Sequence, residues 1–411
     1  MENNEINRLY SRLFLKKITD FKLKDKRVLI RVDFNVPMDE SGNIISNFRI
    51  RAALPTIKYC MAQGASIVLM SHLGRPGGTI NPDFSLKPLV NELESLLNTE
   101  IFFSDNCVSE EAFEISEDLL PKEIHLLENL RFHKEEKSND LTFSEKLAQH
   151  GDIFINDAFG TAHRNHASNV GILKYFDLAG YGFLCEKELK YFERKLSKPE
   201  NPYTVILGGA KVVGKIELIE SLMEHADNFL IGGAMANPFL KVNGQNIGAA
   251  IVDEENLNIA KMLMEKAEKY NVNIVLPIDV IASKEITDND DWYVSLLKDL
   301  TSDMYGLDIG PESSAIFNEY LINSKTVFWN GPVGIAEIPQ FSIGTQSLAS
   351  TLKNLTEEGV ITVIGGGDTA SVLMASGHDD SFSHISTGGG ASIQLLSGQS
   401  LPAFIELEKV K

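Results

Sequence analysis

The chain has 411 residues with a formal net charge of −19, and 43% of its residues are hydrophobic. That length exceeds what one core serves and suits two domains; the acidic balance excludes nucleic acid and anionic membrane surfaces as main partners, and no apolar run approaches the ~18 residues a membrane span needs. Cys60, Cys107 and Cys185 are widely spaced and odd in number, which reads as free thiols in the reducing cytoplasm, and Met1–Asp20 lacks the apolar core and cleavage pattern of a signal peptide and reads as a short extension.

Arg27–Phe34 predicts a buried strand. In Arg49–Ala62 the residues Ile50, Ala53, Leu54, Ile57 and Met61 recur at helical spacing, the pattern stops at Gly64, and Ser66–Met70 returns as an apolar strand, completing one βαβ unit. Leu86, Leu89, Val90, Leu93, Leu96 and Leu97 mark a second amphipathic helix, and Ile124–Leu127 and Ile153–Asn156 read as further strands. The alternation implies a parallel, doubly wound sheet. Polar residues follow these strands at the ends where such sheets bind ligands. Asp33 and Asn35 come after the first, Arg49 opens the helix, His72 and Arg75 lie in Ser71-His72-Leu73-Gly74-Arg75-Pro76, and Arg131 and Arg164 follow later strands. One such arginine is an ordinary solvated residue. Four at successive strand ends point to a basic pocket for a small, highly anionic substrate, because guanidinium grips phosphate and carboxylate through paired donors. His163 and His166 lack a third ligand nearby for zinc.

Leu184–Leu196 carries alternating charges at helical spacing and runs into Ser197-Lys198-Pro199-Glu200-Asn201-Pro202, a proline-bounded exit that marks it as the connector rather than a plain surface helix. Strand candidates then resume at Tyr203–Leu207, Asn228–Ile231, Val272–Leu276, Thr326–Trp329 and Val360–Ile364. Gly209 to Lys215 matches seven positions of a phosphate-binding P-loop, but Ile216 replaces the hydroxyl residue that would ligate Mg²⁺. Lys211 and Lys215 are kept as phosphate ligands and the P-loop label is rejected. Near the end, Ile361–Ile364 meets Gly365-Gly366-Gly367-Asp368-Thr369, and Ser386-Thr387-Gly388-Gly389-Gly390-Ala391-Ser392 follows. Strands that end in glycines and open a helix offer bare N–H groups to phosphate, and Asp368 at such a start can hold a bridging Mg²⁺.

Arg31-Val32-Asp33-Phe34-Asn35-Val36-Pro37, Ser71–Pro76, Glu128–His133, Asn156–Arg164, Trp329-Asn330-Gly331-Pro332-Val333-Gly334, Gly365–Thr369 and Ser386–Ser392 together resemble phosphoglycerate kinases, from about Phe21 to the C-terminus. The resemblance implies two Rossmann-like α/β lobes joined by a helix: residues 1–183 with a returning tail 396–411 for 3-phosphoglycerate, a connector and hinge 184–202, and a nucleotide lobe 203–395. It implies phosphoryl transfer between 1,3-bisphosphoglycerate and ADP, giving 3-phosphoglycerate and Mg·ATP, by a cytoplasmic monomer with no nucleic-acid or membrane partner. Substrate residues then fall on Asp33, Phe34, Asn35, Arg49, His72, Leu73, Gly74, Arg75, Arg131 and Arg164. Catalytic residues fall on Arg49, Lys211, Lys215, Gly388 and Gly389. Nucleotide residues fall on Lys211, Lys215, Gly310, Asn330, Glu337, Gly366, Gly367, Asp368 and Thr369, with Asp368 the Mg²⁺ ligand. Hinges are expected at Gly180–Phe183, Ser197–Pro202 and Ser386–Ser392.

Val213-Gly214, Ala234, Pro238, Ala336 and Asn165 depart from the pattern, and most of them fall in the nucleotide half. Two other readings compete: a catalytically weak phosphate-binding scaffold of the same fold, against which Arg49, Lys211, Lys215 and Asp368 all count, and a dinucleotide oxidoreductase, which would need G-x-G-x-x-G where Asp33-Phe34-Asn35 stands.

Overall fold

In the computed structural model the described residues are 15–39, 41–210, 212, 215–288, 290–378 and 381–410, and the side chains of 193–195, 368 and 375 fall outside the description. The strands in chain order are β1 (Arg27–Val32), β2 (Ser66–Met70), β3 (Ile101–Ser104), β4 (Ile124–Leu127), β5 (Ile153–Asp157), β6 (Ala179–Tyr181), β7 (Tyr203–Leu207), β8 (Asn228–Ile231), β9 (Asn273–Val275), β10 (Asp279–Ser283), β11 (Trp292–Leu296), β12 (Tyr305–Ile309), β13 (Thr326–Asn330), β14 (Ile361–Gly365) and β15 (His384–Ile385). The chain divides into two compact units, one of Met1–Lys190 with Ser400–Lys411, the other of Tyr191–Gln399.

The first unit holds a six-stranded sheet ordered β3-β4-β2-β1-β5-β6. All its pairings are parallel. β2 and β5 are buried at every position and β1 at all but its first, as strands covered on both faces must be. The helix Phe48–Ala62 turns Ile50, Ala53, Leu54, Ile57 and Cys60 inward, where they join Val28, Ile30, Ile67 and Leu69 in one core. Burial stabilises by roughly 1.5–3 kcal/mol for each large aliphatic side chain. The helical pattern at Leu86–Leu97 forms as Leu89–Leu97. The C-terminal helix Pro402–Leu407 belongs here too: Ala403 N–H donates to the Ala162 carbonyl at 3.1 Å, and the Phe404 ring lies 6.5 Å from Phe159 and 6.4 Å from Tyr181.

The second unit repeats the plan with a parallel sheet ordered β15-β14-β13-β7-β8-β9. It adds what the strand–helix alternation did not announce, a three-stranded antiparallel sheet ordered β11-β10-β12. β3, β6 and β15 also escaped the sequence reading; each is short and lies at a sheet edge. The segment Leu184–Leu196 starts as an α-helix, Phe183–Leu189, and widens into π-helical turns at Lys190–Lys195.

The strand orders carry the functional consequence. In the first sheet β2, β4 and β3 lie in that order outward from β1 on one side, and β5 starts the other side. In the second, β8 and β9 run outward from β7 and β13 starts the other side. Each sheet therefore has a crevice at the carboxyl ends of two central neighbours, β1 and β5 in one and β7 and β13 in the other, where open α/β sheets take ligands.

Candidate functional site

At the β1/β5 crevice the chain leaves β1 at Asp33, which is 5% exposed. The Asp33 carboxylate pairs with the Arg49 guanidinium, and its other oxygen lies 3.8 Å from Nδ1 of His72. Asn35 Oδ1 accepts the Gly74 N–H at 2.8 Å, and the Gly74 carbonyl accepts Nη1 of Arg131 at 2.5 Å. Gly74 has φ +62°, and a Cβ there would stand 2.2 Å from the Phe84 ring, so this link between Asn35 and Arg131 needs glycine. Asn129 fixes the same loop by donating to the Leu73 and Phe84 carbonyls at 2.7 and 2.8 Å and accepting the Arg131 N–H at 2.9 Å. Phe34 is fully buried, and its N–H donates to Ser71 Oγ at 2.8 Å. Arg164 donates to Nε2 of His163 at 3.4 Å, and Arg75 is exposed at the rim.

These groups share one field. Burial lowers the pKa of Arg131 to about 10, with Arg164 and Arg31 adding repulsion and Asp33 and Glu136 opposing it. Burial likewise lowers Arg164, which feels Asp33, Arg75, Arg49 and Glu136. Burial and the charges of Arg31, Arg131, Arg164 and Arg49 push His72 well below the ordinary histidine value, so its ring is neutral. Burial and Arg164 bring His163 down to about 4. Five guanidinium groups (Arg31, Arg49, Arg75, Arg131 and Arg164) thus face two carboxylates (Asp33 and Glu136), a local excess of positive charge in a chain whose net charge is strongly negative. Nε of Arg131 is buried with no hydrogen-bond partner among the described residues. Structural and binding arginines alike saturate such donors, so an anion is its natural partner.

The sequence reading passed over Arg31, Ser168 and Glu136 in this crevice. Arg31 stands inside β1, fully buried, donating from Nε to Ser168 Oγ at 2.9 Å and from Nη1 to the Val32 carbonyl. Glu136 is fully buried beneath it and accepts the Ser168 N–H and hydroxyl at 2.9 and 2.7 Å. The one signal available was a cation, Arg31, inside the otherwise apolar run 28–32 of β1.

At the β7/β13 crevice, Lys215 Nζ donates to the carbonyls of Gly208 and Asn330 at 2.8 and 3.0 Å. Gly366 has φ +90° and Gly367 begins the helix Gly367–Ala375. The Thr369 hydroxyl is fully buried and accepts the Gly331 N–H at 2.8 Å, binding this helix to the turn after β13. Gly310 caps the helix Pro311–Ile322, whose first amides, those of Glu312 and Ser313, are taken by the Asp279 carboxylate at 3.1 and 2.7 Å. Glu337 is exposed on the loop after β13. Gly389 starts the helix Gly390–Leu396 with φ +43° and ψ −106°, and the neighbouring Gly388 N–H is taken by Ser386 Oγ at 2.9 Å. Lys211, Val213, Gly214 and the side chain of Asp368 lie outside the described residues. Pro238 occupies the third position of the helix Ala236–Val242, where the missing N–H has no helical partner to lose. Among the described residues no group of three or more His, Cys, Asp or Glu side chains could by itself hold a metal ion, and no helix is long and apolar enough to cross a membrane.

A basic crevice on one doubly wound sheet and a glycine-lined crevice on another define a two-unit α/β protein built for anionic ligands. A family model described as phosphoglycerate kinase matches residues 18–399. The chain is 48% identical over 389 residues to the phosphoglycerate kinase of Finegoldia magna, covering 94% of this chain and 97% of that one. It is 42% identical over 400 residues to that of Prochlorococcus marinus, covering 97% and 100%. Among solved structures, phosphoglycerate kinase from Coxiella burnetii matches with a TM-score of 0.81 at 36% identity over 96% of this chain and 99% of that one. The enzyme from Pyrococcus horikoshii matches at 0.85 and 31%, over 96% and 98%. The chain belongs to the phosphoglycerate kinase family.

Proposed function

We infer that this chain is a glycolytic kinase that transfers a phosphoryl group between 1,3-bisphosphoglycerate and ADP, giving 3-phosphoglycerate and Mg·ATP. The observation that carries the reading, beside family membership, is the convergence of Arg49, Arg131, Arg164 and neutral His72 on the Asp33 end of β1. The acceptor carboxylate of 3-phosphoglycerate, with a reference pKa near ~3.5, is ionised at neutral pH and needs no general base. A neutral His72 fits that chemistry as a hydrogen-bond donor. What remains is charge neutralisation and alignment, which we assign to Arg49 on the substrate side and to Lys211, Lys215 and the Gly388–Gly389 amides on the nucleotide side.

Asp33, Phe34, Asn35, His72, Leu73, Gly74, Arg75, Arg131 and Arg164 complete the substrate set. Gly310, Asn330, Glu337, Gly366, Gly367 and Thr369 complete the nucleotide set, Thr369 through the turn it anchors. Asp368 would hold the Mg²⁺ of the Mg·nucleotide substrate, and the ion would supply neutralisation of phosphate charge there. Residues 1–183 with 396–411 serve the substrate, 184–202 act as connector and hinge, and 203–395 serve the nucleotide. Reacting atoms must come within ~3–3.5 Å, so the two crevices close on each other when both ligands are bound, which also excludes water from the acyl phosphate. Three buried thiols, Cys60, Cys107 and Cys185, suit a cytoplasmic enzyme, and we assign it as a monomer.

The test is a coupled assay with 3-phosphoglycerate and Mg·ATP. Saturable turnover in both substrates is expected. Binding of either substrate without turnover would replace the kinase by the phosphate-binding scaffold.

A further inference from the structure

Beneath the basic crevice runs a chain of four side chains, each no more than 2% exposed: Glu136, Ser168, Arg31 and His72. Ser168 Oγ lies 2.7 Å from Oε1 of Glu136, Arg31 Nε lies 2.9 Å from Ser168 Oγ, and Arg31 Nη2 lies 3.1 Å from Nδ1 of His72. The proton positions along it are forced. A guanidinium only donates and an ionised carboxylate only accepts. The single Ser168 hydroxyl proton therefore goes to Glu136, the Ser168 lone pair takes Arg31 Nε–H, and His72 Nδ1 must accept from Arg31. A neutral ring whose Nδ1 is an acceptor carries its proton on Nε2. The rival arrangement, Nδ1–H toward Asp33, has only an oxygen at 3.8 Å to receive it, beyond hydrogen-bond reach.

We propose that Glu136 is a positioning residue that acts through Ser168 and Arg31 to lock His72 as the Nε2–H tautomer, leaving that N–H as a fixed donor for the anionic substrate. The idea rests on the reading of His72 as a substrate residue. Two features agree with it. Burial works against the charged form of Glu136, but hydrogen bonds from His166 and Ser168 and the charge of Arg31 prevail and hold its pKa below the ordinary value, so the anchor is ionised as the chain requires. Glu136 also has a second hold on Ser168 through the backbone N–H at 2.9 Å, which fixes where the hydroxyl can point. The arrangement has a chemical use. Among five arginines a charged imidazolium would add repulsion, whereas a neutral ring with a defined N–H adds a directional hydrogen bond at no cost in charge.

The experiment is long-range proton–nitrogen NMR on the ¹⁵N-labelled full-length protein, with His72 assigned by its loss in His72→Gln. In the wild type, Nδ1 is expected at a pyridine-like shift and Nε2 at a pyrrole-like shift throughout pH 6–8. In Ser168→Ala, Arg31 Nε loses its acceptor. The two His72 nitrogens should then move toward averaged values, and KM for 3-phosphoglycerate should rise on the order of tenfold with KM for Mg·ATP unchanged, as for loss of one charge-assisted hydrogen bond. Ser168→Thr keeps the hydroxyl and should restore both readouts. A protonated Nδ1 in the wild type, a Ser168→Ala spectrum identical to the wild type, or equal rises in both KM values would overturn the proposal. Titrating 3-phosphoglycerate into the wild type tests the underlying site reading separately: a His72 ring indifferent to saturating ligand removes it from the substrate site, whatever its tautomer.

Discussion

Replacing Gly74 by alanine tests how the basic crevice is held. The residue sits at φ +62°, and the new Cβ would stand 2.2 Å from Cδ1 of Phe84. The left-handed backbone costs an L-residue about 1–2 kcal/mol, and crowding of a packed site costs about 1–3 kcal/mol, so the sum is roughly 2–5 kcal/mol. Calorimetry should show the unit that contains it melting about 4–20 °C lower, at roughly 2–4 °C per kcal/mol for a unit of this size. The same loop carries Asn35 on its N–H and Arg131 on its carbonyl, so KM for 3-phosphoglycerate should rise on the order of tenfold, with KM for nucleotide unmoved. The double variant Gly74→Ala/Phe84→Ala separates the two costs, since removing the ring relieves crowding at Gly74 and leaves the backbone cost. A Gly74→Ala protein that melts with the wild type and keeps its KM for 3-phosphoglycerate would refute the reasoning.

Arg49→Ala should lower kcat by on the order of 10²–10³, the loss of about 2.7–4 kcal/mol typical of a group that meets charge developing in transfer; a raised KM at unchanged kcat would assign Arg49 to plain binding. Asp368→Ala should lose Mg²⁺-dependent turnover while Ile216→Thr leaves metal affinity as it was, and metal titration of both variants shows whether a hydroxyl at 216 revives a P-loop. Burial holds His125 at about 3 and His150 at about 4, so the unfolded chain binds protons the folded one does not between about pH 4 and 6.5, and these two make stability fall on acidification. Burial raises Asp308 to about 7, which acts in the opposite sense, its contribution being lost as pH rises toward 7. Urea midpoints at pH 7.5 and 5 should therefore drop less on acidification in His150→Gln and more in Asp308→Asn than in the wild type. Small-angle scattering should find the radius of gyration smaller in the ternary complex than in the apo or singly liganded protein, and equal values would remove closure from the mechanism.

Both parallel sheets could be read from the chain because their central strands are buried on both faces and leave continuous apolar runs, and because the residue after each run is conspicuously polar. Arg131 and Arg164 were visible for that reason. Arg31 was not, because it lies within such a run, and its role depends on Ser168, which is 137 residues away in sequence. Glu136 belongs to a short charged helix, Lys134–Ser138, whose sequence resembles any solvated turn; only the fold shows that one of its carboxylates faces inward. The antiparallel sheet escaped for another reason. β11 presents Trp292, Tyr293 and Val294 to solvent, so neither strict alternation nor a buried run marks it. The π-helical widening at Lys190–Lys195 leaves no trace in periodicity, since the apolar positions still recur every three or four residues.

The C-terminal helix makes the first unit discontinuous in sequence. Phe404 covers Phe159 and Tyr181 in the first unit, yet the 209 residues of Tyr191–Gln399 are translated in between. At about 5–20 residues per second, roughly 10–40 s pass during which the amino-terminal half has been made and its closing piece has not. Through that interval the rings of Phe159 and Tyr181 lack their lid, and the nascent chain presents an apolar patch that waits for the helix Pro402–Leu407. For this architecture the order of translation and the order of completion are reversed: the half that leaves the ribosome first is finished last.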